Sequence, residues 1–113
     1  MEIAQPDSAR KRQRLPNRRP HELLEFEHMG FRFTLGVGRF PDRRLAEIFL
    51  NCSKGGTPVD VNARDAAIVA SIALQHGATA AELRHALSRN SDGSAGGPLA
   101  AALDLIEAPG RAD

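Results

Sequence analysis

The chain has few residues of the kinds that carry redox chemistry, bind metals or span membranes. Among its 113 residues are one cysteine, Cys52, four histidines, no tryptophan and no tyrosine. A single thiol excludes an intramolecular disulfide and any Cys-x-x-Cys site. No run of about 18 apolar residues is present, so a transmembrane helix is not expected. The first residues lack the apolar segment of a secretory signal. These absences favour a protein of the reducing cytoplasm.

The composition favours one domain with an aliphatic core. Hydrophobic residues make up 42% of the chain and aromatic residues 4%. A chain of this length normally folds as a single domain. Its core must therefore consist of Leu, Ile, Val and Ala with a few Phe.

Positive charge is concentrated at the N-terminus. The net charge is +1, but residues 1–20 hold six basic and two acidic groups, and the remainder is acidic. Three prolines and no apolar periodicity predict a disordered arm over residues 1–20, a folded domain over 21–107 and a frayed tail over 108–113. The arm could bind phosphates by charge or serve as a solubilising tail. Its basic residues are Arg10, Lys11, Arg12, Arg14, Arg18 and Arg19.

Three strands are predicted in the first half of the domain. Residues 21–28 have strand character, and Met29-Gly30 predicts a turn. From Phe31 the apolar residues alternate with period two, which places them on one face of a strand. Residues 45–50 predict a third strand, and the short connections favour an antiparallel meander. On this third strand Leu45 and Phe49 point away from Ala46 and Ile48. We therefore expect two apolar sheet faces, one buried by a partner or in a homodimer.

Three helices are predicted in the second half. The first covers residues 63–76, is capped by Asp60 or Asn62, and is apolar almost all round, so we expect it to be largely buried. A capping-box spacing that begins at Thr79 predicts a second helix through Leu87. Pro98 predicts the start of a third helix that ends at Ile106. Strands followed by helices indicate an α+β fold: a three-stranded antiparallel meander with three helices packed on one sheet face.

Candidate reactive groups are sparse. The histidines lack the i, i+4 spacing of a helical zinc pair, so neither a metal nor a cofactor is expected. Cys52 is a candidate reactive thiol, because Lys54 nearby could lower its pKa, although an inert buried thiol is the simpler interpretation. The loop Lys54-Gly-Gly-Thr57 suggests a phosphate cradle. It lacks the required spacing, however, and Asp60 would repel an anion.

A helix, a glycine-containing turn and a second helix between Ile68 and Leu87 could form a helix-turn-helix. Together with the basic arm, this pair makes a small DNA- or RNA-binding protein the alternative function. The second helix offers few groups that could read bases: Arg84, His85, Ser88 and Arg89.

Four segments carry a family resemblance: Phe31-Arg-Phe-Thr-Leu-Gly-Val-Gly38, Ala46-Glu-Ile-Phe-Leu50, Lys54-Gly-Gly, and Asp65-Ala-Ala-Ile-Val-Ala-Ser-Ile-Ala-Leu-Gln-His-Gly77. They resemble the ribonucleotide-reductase-like TSCPD domain, which occurs near the C-terminus of adenosylcobalamin-dependent ribonucleotide reductases and in short free-standing proteins. The resemblance extends over residues 14–106. The ending, from Ser91-Asp-Gly to Ile106, is similar to that of the short members.

The resemblance implies a protein associated with ribonucleotide reduction that lacks the residues needed to catalyse the reaction. The eponymous Thr-Ser-Cys-Pro-Asp signature is absent, and Cys52 lacks the second thiol needed to deliver two electrons as a disulfide. A ribonucleoside-diphosphate reductase activity would be assigned by resemblance only. The leading hypothesis is therefore a non-catalytic accessory or regulatory module. It would bind a phosphate-bearing ligand or a protein, namely a ribonucleotide reductase subunit or a second copy of itself.

Overall fold

The computed structural model describes residues 11–17 and 21–107. Within them the strands precede the helices, which confirms the predicted α+β class. The strands are β1 (His21–His28), β2 (Phe31–Arg39) and β3 (Leu45–Cys52). The helices are α1 (Pro58–Gln75), α2 (Ala80–Ala86) and α3 (Pro98–Glu107).

The sheet is an antiparallel meander in the order β1-β2-β3. Both residues of the first turn have positive φ, 54° at Met29 and 84° at Gly30, as a two-residue hairpin turn requires. Apolar side chains of alternate residues form the face that packs on the helices, as period two predicts. The buried residues of this face include Phe33, Leu35, Val37, Ile48 and Leu50.

The first helix begins earlier than the sequence pattern predicts. Thr57 is the N-cap, with its hydroxyl accepting a hydrogen bond from the Asp60 N–H, and Pro58 occupies the first turn. The prediction of Asp60 or Asn62 as the cap was therefore wrong. The helix includes Pro58 because a proline at the first helical position removes only an N–H that has no partner within the helix.

The prediction that α1 is largely buried was also wrong. The helix packs on the sheet with one face only, because a three-stranded sheet can cover only one side of it. That face is rich in small residues, including Ala63, Ala67 and Ala70. Four aliphatic side chains on the remaining surface are exposed: Val61 by 43%, Ile68 by 56%, Val69 by 67% and Ile72 by 39%.

Three buried polar side chains of α1 bind the main chain of β3. The Ser71 hydroxyl accepts from the Ile48 N–H at 2.8 Å and donates to the Ile48 carbonyl at 3.1 Å. Asp60 Oδ1 accepts from the Cys52 N–H at 2.9 Å, and Gln75 Nε2 donates to the Ala46 carbonyl at 3.0 Å. The helix thus satisfies main-chain groups on the side of β3 away from β2, which protects this edge from pairing with other strands.

Within the described residues, no helix combines the length and the hydropathy needed to cross a bilayer.

Candidate functional site

The described part of the arm binds the C-terminal end of α1. The Gln13 N–H donates to the main-chain carbonyl of Gln75 at 2.7 Å, and Arg12 Nε donates to the Gln75 side-chain oxygen. The other side-chain atom of Gln75, its amide nitrogen, donates to Ala46 on β3. One buried glutamine therefore connects the arm, the helix and the sheet.

The same contact brings the arm to a second basic segment, the turn between β2 and β3. Arg44 Nη2 donates to Gln13 Oε1 at 3.2 Å. The Arg44 guanidinium also binds Asp42 at 2.7 Å and lies 4.6 Å from the centroid of the Phe40 ring. These contacts hold Arg44 beside the arm, so charges that are far apart in sequence share one end of the molecule.

The turn itself has an uncommon conformation. Arg43 has φ 80°, in the left-handed region that non-glycine residues rarely adopt. Its N–H donates to the Phe40 carbonyl at 2.8 Å, and its own carbonyl accepts from Arg39 Nη1 at 3.0 Å. The turn is thus held by its own hydrogen bonds. We call the set Arg12, Arg14, Arg39, Arg43 and Arg44 the basic end.

Two open cavities lie at the basic end. The first, of about 540 Å³, is lined by residues 12–15 of the arm together with Glu47 and Gln75. The second, of about 310 Å³, is lined by Arg39, Arg43 and Arg44 on one side and by residues 77–81 and Glu107 on the other. Their sizes are those of small-molecule sites. The five arginines outnumber the nearby carboxylates of Asp42, Glu47 and Glu107.

The carboxylate of Glu47 forms part of the wall of the first cavity. Glu47 lies on the sheet face away from the helices, yet it is only 5% exposed. His21 Nε2 lies 2.9 Å from Glu47 Oε2, and the imidazole contacts the edge of Phe49. Gly38 on β2 lies between the paired positions and has no side chain to compete for this space.

Among the predicted anion-binding residues, the structure places Arg12 and Arg14 at the first cavity, with Lys11 next to them in the chain. Arg10, Arg18 and Arg19, like the tail over residues 108–113, lie outside the described residues. The sequence prediction missed Gln75 and the arginines of the β2–β3 turn. The run of Arg39, Arg43 and Arg44 was a visible signal of a second basic cluster, whereas nothing local indicates the role of Gln75.

Cys52 is buried on the helix-covered face of the sheet, with 6% of its surface exposed. Its sulfur accepts a weak hydrogen bond from the Lys54 N–H at 3.4 Å. A catalytic thiol must be reached by its substrate, so this position offers no support for a reactive role.

The loop that resembled a phosphate cradle already holds an anion of its own. Asp60 Oδ2 accepts from the Gly56 N–H at 2.9 Å, and Oδ1 accepts from the Cys52 N–H. These main-chain hydrogen bonds, the one from Gly56 foremost, hold the pKa of Asp60 below its ordinary value of 3.8. The carboxylate therefore takes the donors that a bound phosphate would need.

The predicted helix-turn-helix has a short second helix, and the arginines in and after this helix are engaged. Helix α2 has seven residues and the predicted capping box, formed by Thr79 and Glu82. Arg84 and Arg89 both bind Asp104 on α3, at 3.0 and 2.8 Å, and Arg89 holds the pKa of Asp104 below its ordinary value. Arg84 thus joins α2 to α3, and Arg89 joins the segment after α2 to the same aspartate. Neither guanidinium is positioned to read bases, so the helix pair lends little support to DNA or RNA binding.

The residues described by the structure contain no group of three or more His, Cys, Asp or Glu side chains arranged to hold a metal ion. Comparison of the chain with protein-family models, with curated proteins and with solved structures gave no match.

Proposed function

We propose that the chain is a non-catalytic accessory or regulatory module, related to the TSCPD domain of ribonucleotide reductases, that binds a phosphate-bearing ligand at its basic end. The observation that carries the proposal is the docking of the arm on Gln75. It brings Arg12 and Arg14 to the same end of the molecule as the arginines of the β2–β3 turn.

The chemistry of the basic end suits phosphate. A guanidinium presents several donors in a planar fork that matches the oxygens of a phosphate group. Two neighbouring cavities lined by such groups suit a ligand with more than one phosphate, such as a nucleoside triphosphate. The side-chain amide of Gln13, which lines the first cavity, would bind the remainder of such a ligand.

A direct test is calorimetric titration of the full chain with ATP, inorganic triphosphate and adenosine at low salt. The proposal expects the first two to bind and adenosine to bind far more weakly. Arg14→Gln and Arg43→Gln each remove a positive charge from one cavity. Because a hydrogen bond to a charged group contributes about 1.5–3 kcal/mol, each should weaken ATP binding by about tenfold or more.

Arg32→Gln is the matched control. Arg32 lies at the other end of β2, where it is exposed and binds Glu25 and Glu27 at 3.2 Å. Its replacement should leave ATP binding unchanged. Failure of ATP and inorganic triphosphate to bind, or equal losses in all three variants, would contradict the proposal.

A DNA- or RNA-binding function is the second candidate, favoured by the same arginines. Single-stranded oligonucleotides should then bind more tightly than ATP, with an affinity that falls steeply as salt is added. Deletion of residues 1–20 should abolish that binding. If the partner is a ribonucleotide reductase subunit, as the resemblance implies, the subunit and the chain should elute together in size-exclusion chromatography.

A further inference from the structure

The open face of the sheet, which is the face away from the helices, carries a small apolar surface. Within the described residues, its exposed large apolar side chains are Leu23 on β1 and Phe49 on β3, 73% and 47% exposed. Both are paired in the sheet with Gly36 of β2. A Cβ on Gly36 would lie 3.3 Å from the Phe49 ring and 3.6 Å from Leu23, so both side chains lean over the glycine. We call Leu23, Gly36 and Phe49 the platform.

Polar side chains border the platform in both directions along the strands. His21 and Glu47 lie on one side of it, and Glu25, Thr34 and Asn51 lie on the other. Two apolar side chains fall well short of the roughly 800 Å² that each partner contributes to a stable protein interface. The platform therefore suits a planar ring better than a protein surface.

The first cavity of the basic end reaches the same face of the sheet. Its wall includes Glu47, and Phe49 follows two residues later on β3, about 7 Å further along the strand. The imidazole of His21 connects the two: Nε2 lies 2.9 Å from Glu47 Oε2, and the ring centroid lies 5.6 Å from that of Phe49. The platform therefore begins where the cavity that contains Arg12 and Arg14 ends.

From this arrangement we infer that the platform is a subsite for a nucleobase, so that the ligand of the basic end is a nucleotide. The inference rests on the proposed binding of phosphate at the basic end. In an extended nucleotide the base and the phosphates lie on opposite sides of the ribose. With the phosphates among Arg12 and Arg14, the ribose lies over His21, whose side chain is 36% exposed, and the base stacks on Phe49.

The chemistry of the platform suits a base. Bases stack on exposed aromatic side chains whatever their identity, because every base has a π face. The Phe49 ring is already oriented, since the imidazole of His21 meets it at an interplanar angle of 63°, a favourable arrangement for two aromatic rings. A side chain held in this way loses little conformational freedom when a ligand binds.

The experiment is calorimetric titration of the full chain at low salt with ATP and, separately, with inorganic triphosphate. Phe49→Ala removes the ring and should weaken ATP binding by about tenfold or more. The affinity for inorganic triphosphate should stay within a few-fold of the wild-type value, because that ligand has no base. Retained triphosphate binding also shows that the variant is folded and that its basic end is intact.

Two further variants serve as controls. Phe49→Tyr keeps an aromatic ring and should bind ATP within a few-fold of the wild type. Ile68→Ala removes an exposed apolar side chain from α1, on the other side of the sheet, and should leave the binding of both ligands unchanged.

Fluorescence gives a second readout at the platform itself. The chain has no tryptophan and no tyrosine, so Phe49→Trp introduces a single indole at the subsite. ATP should change its emission over the concentration range in which calorimetry shows binding, whereas inorganic triphosphate should not. The emission of Ile68→Trp should respond to neither ligand.

The outcomes separate this inference from the proposed function. If neither ATP nor inorganic triphosphate binds the wild type, the proposed function and the nucleobase subsite are both overturned. If both bind the wild type, and Phe49→Ala weakens neither or weakens both equally, the basic end still binds phosphate and the nucleobase subsite alone is overturned.

Discussion

The imidazole of His21 and the carboxylate of Glu47 meet across the central strand, with Nε2 2.9 Å from Oε2. They belong to the two outer strands, and each is paired in the sheet with Gly38. A side chain at position 38 would occupy the space in which they meet. The pair therefore depends on a glycine in the middle of a strand, where glycine is otherwise unfavourable.

We predict that Gly38→Ala destabilises the fold. A Cβ at this position would lie 2.5 Å from Oε2 of Glu47, so the carboxylate must move away from His21. The free energy of unfolding should fall by about 1–3 kcal/mol, the usual cost of overpacking. Urea unfolding followed by circular dichroism measures it.

Gly55→Ala is the control, because a Cβ there meets no atom within 4 Å. It should change the stability by less than about 0.5 kcal/mol. If the two alanine variants were equally stable, the packing of Glu47 over Gly38 would not constrain the fold.

Removal of the Ser71 hydroxyl should destabilise the fold, because it leaves main-chain groups at the edge of β3 without a hydrogen-bond partner. In Ser71→Ala the N–H and the carbonyl of Ile48 lose their partner in a buried position. Leaving buried polar groups unsatisfied costs about 1–3 kcal/mol, which chemical unfolding would measure. The exposed Ser53→Ala is the matched control and should be close to neutral. Equal stability of both variants would mean that water replaces the hydroxyl at the edge.

Asp60 should make the stability depend on pH in the acid range. Its folded pKa lies below the ordinary 3.8 because the Gly56 and Cys52 N–H groups donate to the carboxylate. The folded state thus binds a proton less readily than the unfolded state. The resulting stabilisation is present in full above the unfolded pKa and is lost as the pH falls through the folded pKa.

The measurement is thermal unfolding of wild type and Asp60→Asn between neutral pH and pH 3. At neutral pH the variant should melt at a lower temperature, and the gap should narrow as acid protonates the wild-type carboxylate. Glu27→Gln is an exposed change of the same kind on the opposite outer strand, β1. Its melting temperature should change with pH in the same way as that of the wild type. A gap that widened with acid would contradict the assigned pKa direction.

Local patterns predicted most of the elements correctly. Apolar and polar residues alternate along the strand that begins at Phe31, because the sheet buries only one of its faces. A period of two residues directly indicates such a strand. The capping box at Thr79 is likewise complete within four residues. The start of α1 was missed because Thr57 and Pro58 follow two glycines, and the whole segment was interpreted as a loop.

The burial of α1 could not be predicted in the same way. A helix that is apolar almost all round predicts burial on all sides, but how many sides are covered depends on the number of strands and helices around it. Here the sheet covers one side. The exposure of Ile68 and Ile72 therefore follows from how the elements assemble, and it could be recognised only when the covered side of α1 was known.

By itself, the sequence determined the class of the fold, the core-facing side of β2 and the concentration of arginines near the N-terminus, because each depends on neighbours a few residues apart. Only the tertiary structure decided where the arm lies, since Gln75 meets Arg12 across 63 positions of the chain. It also decided that Ser71 and Asp60 bind the main chain of β3. A buried polar side chain stabilises the fold only where it can form a hydrogen bond with a group that lacks another partner. The packing of the helix on the sheet decides which groups come within reach.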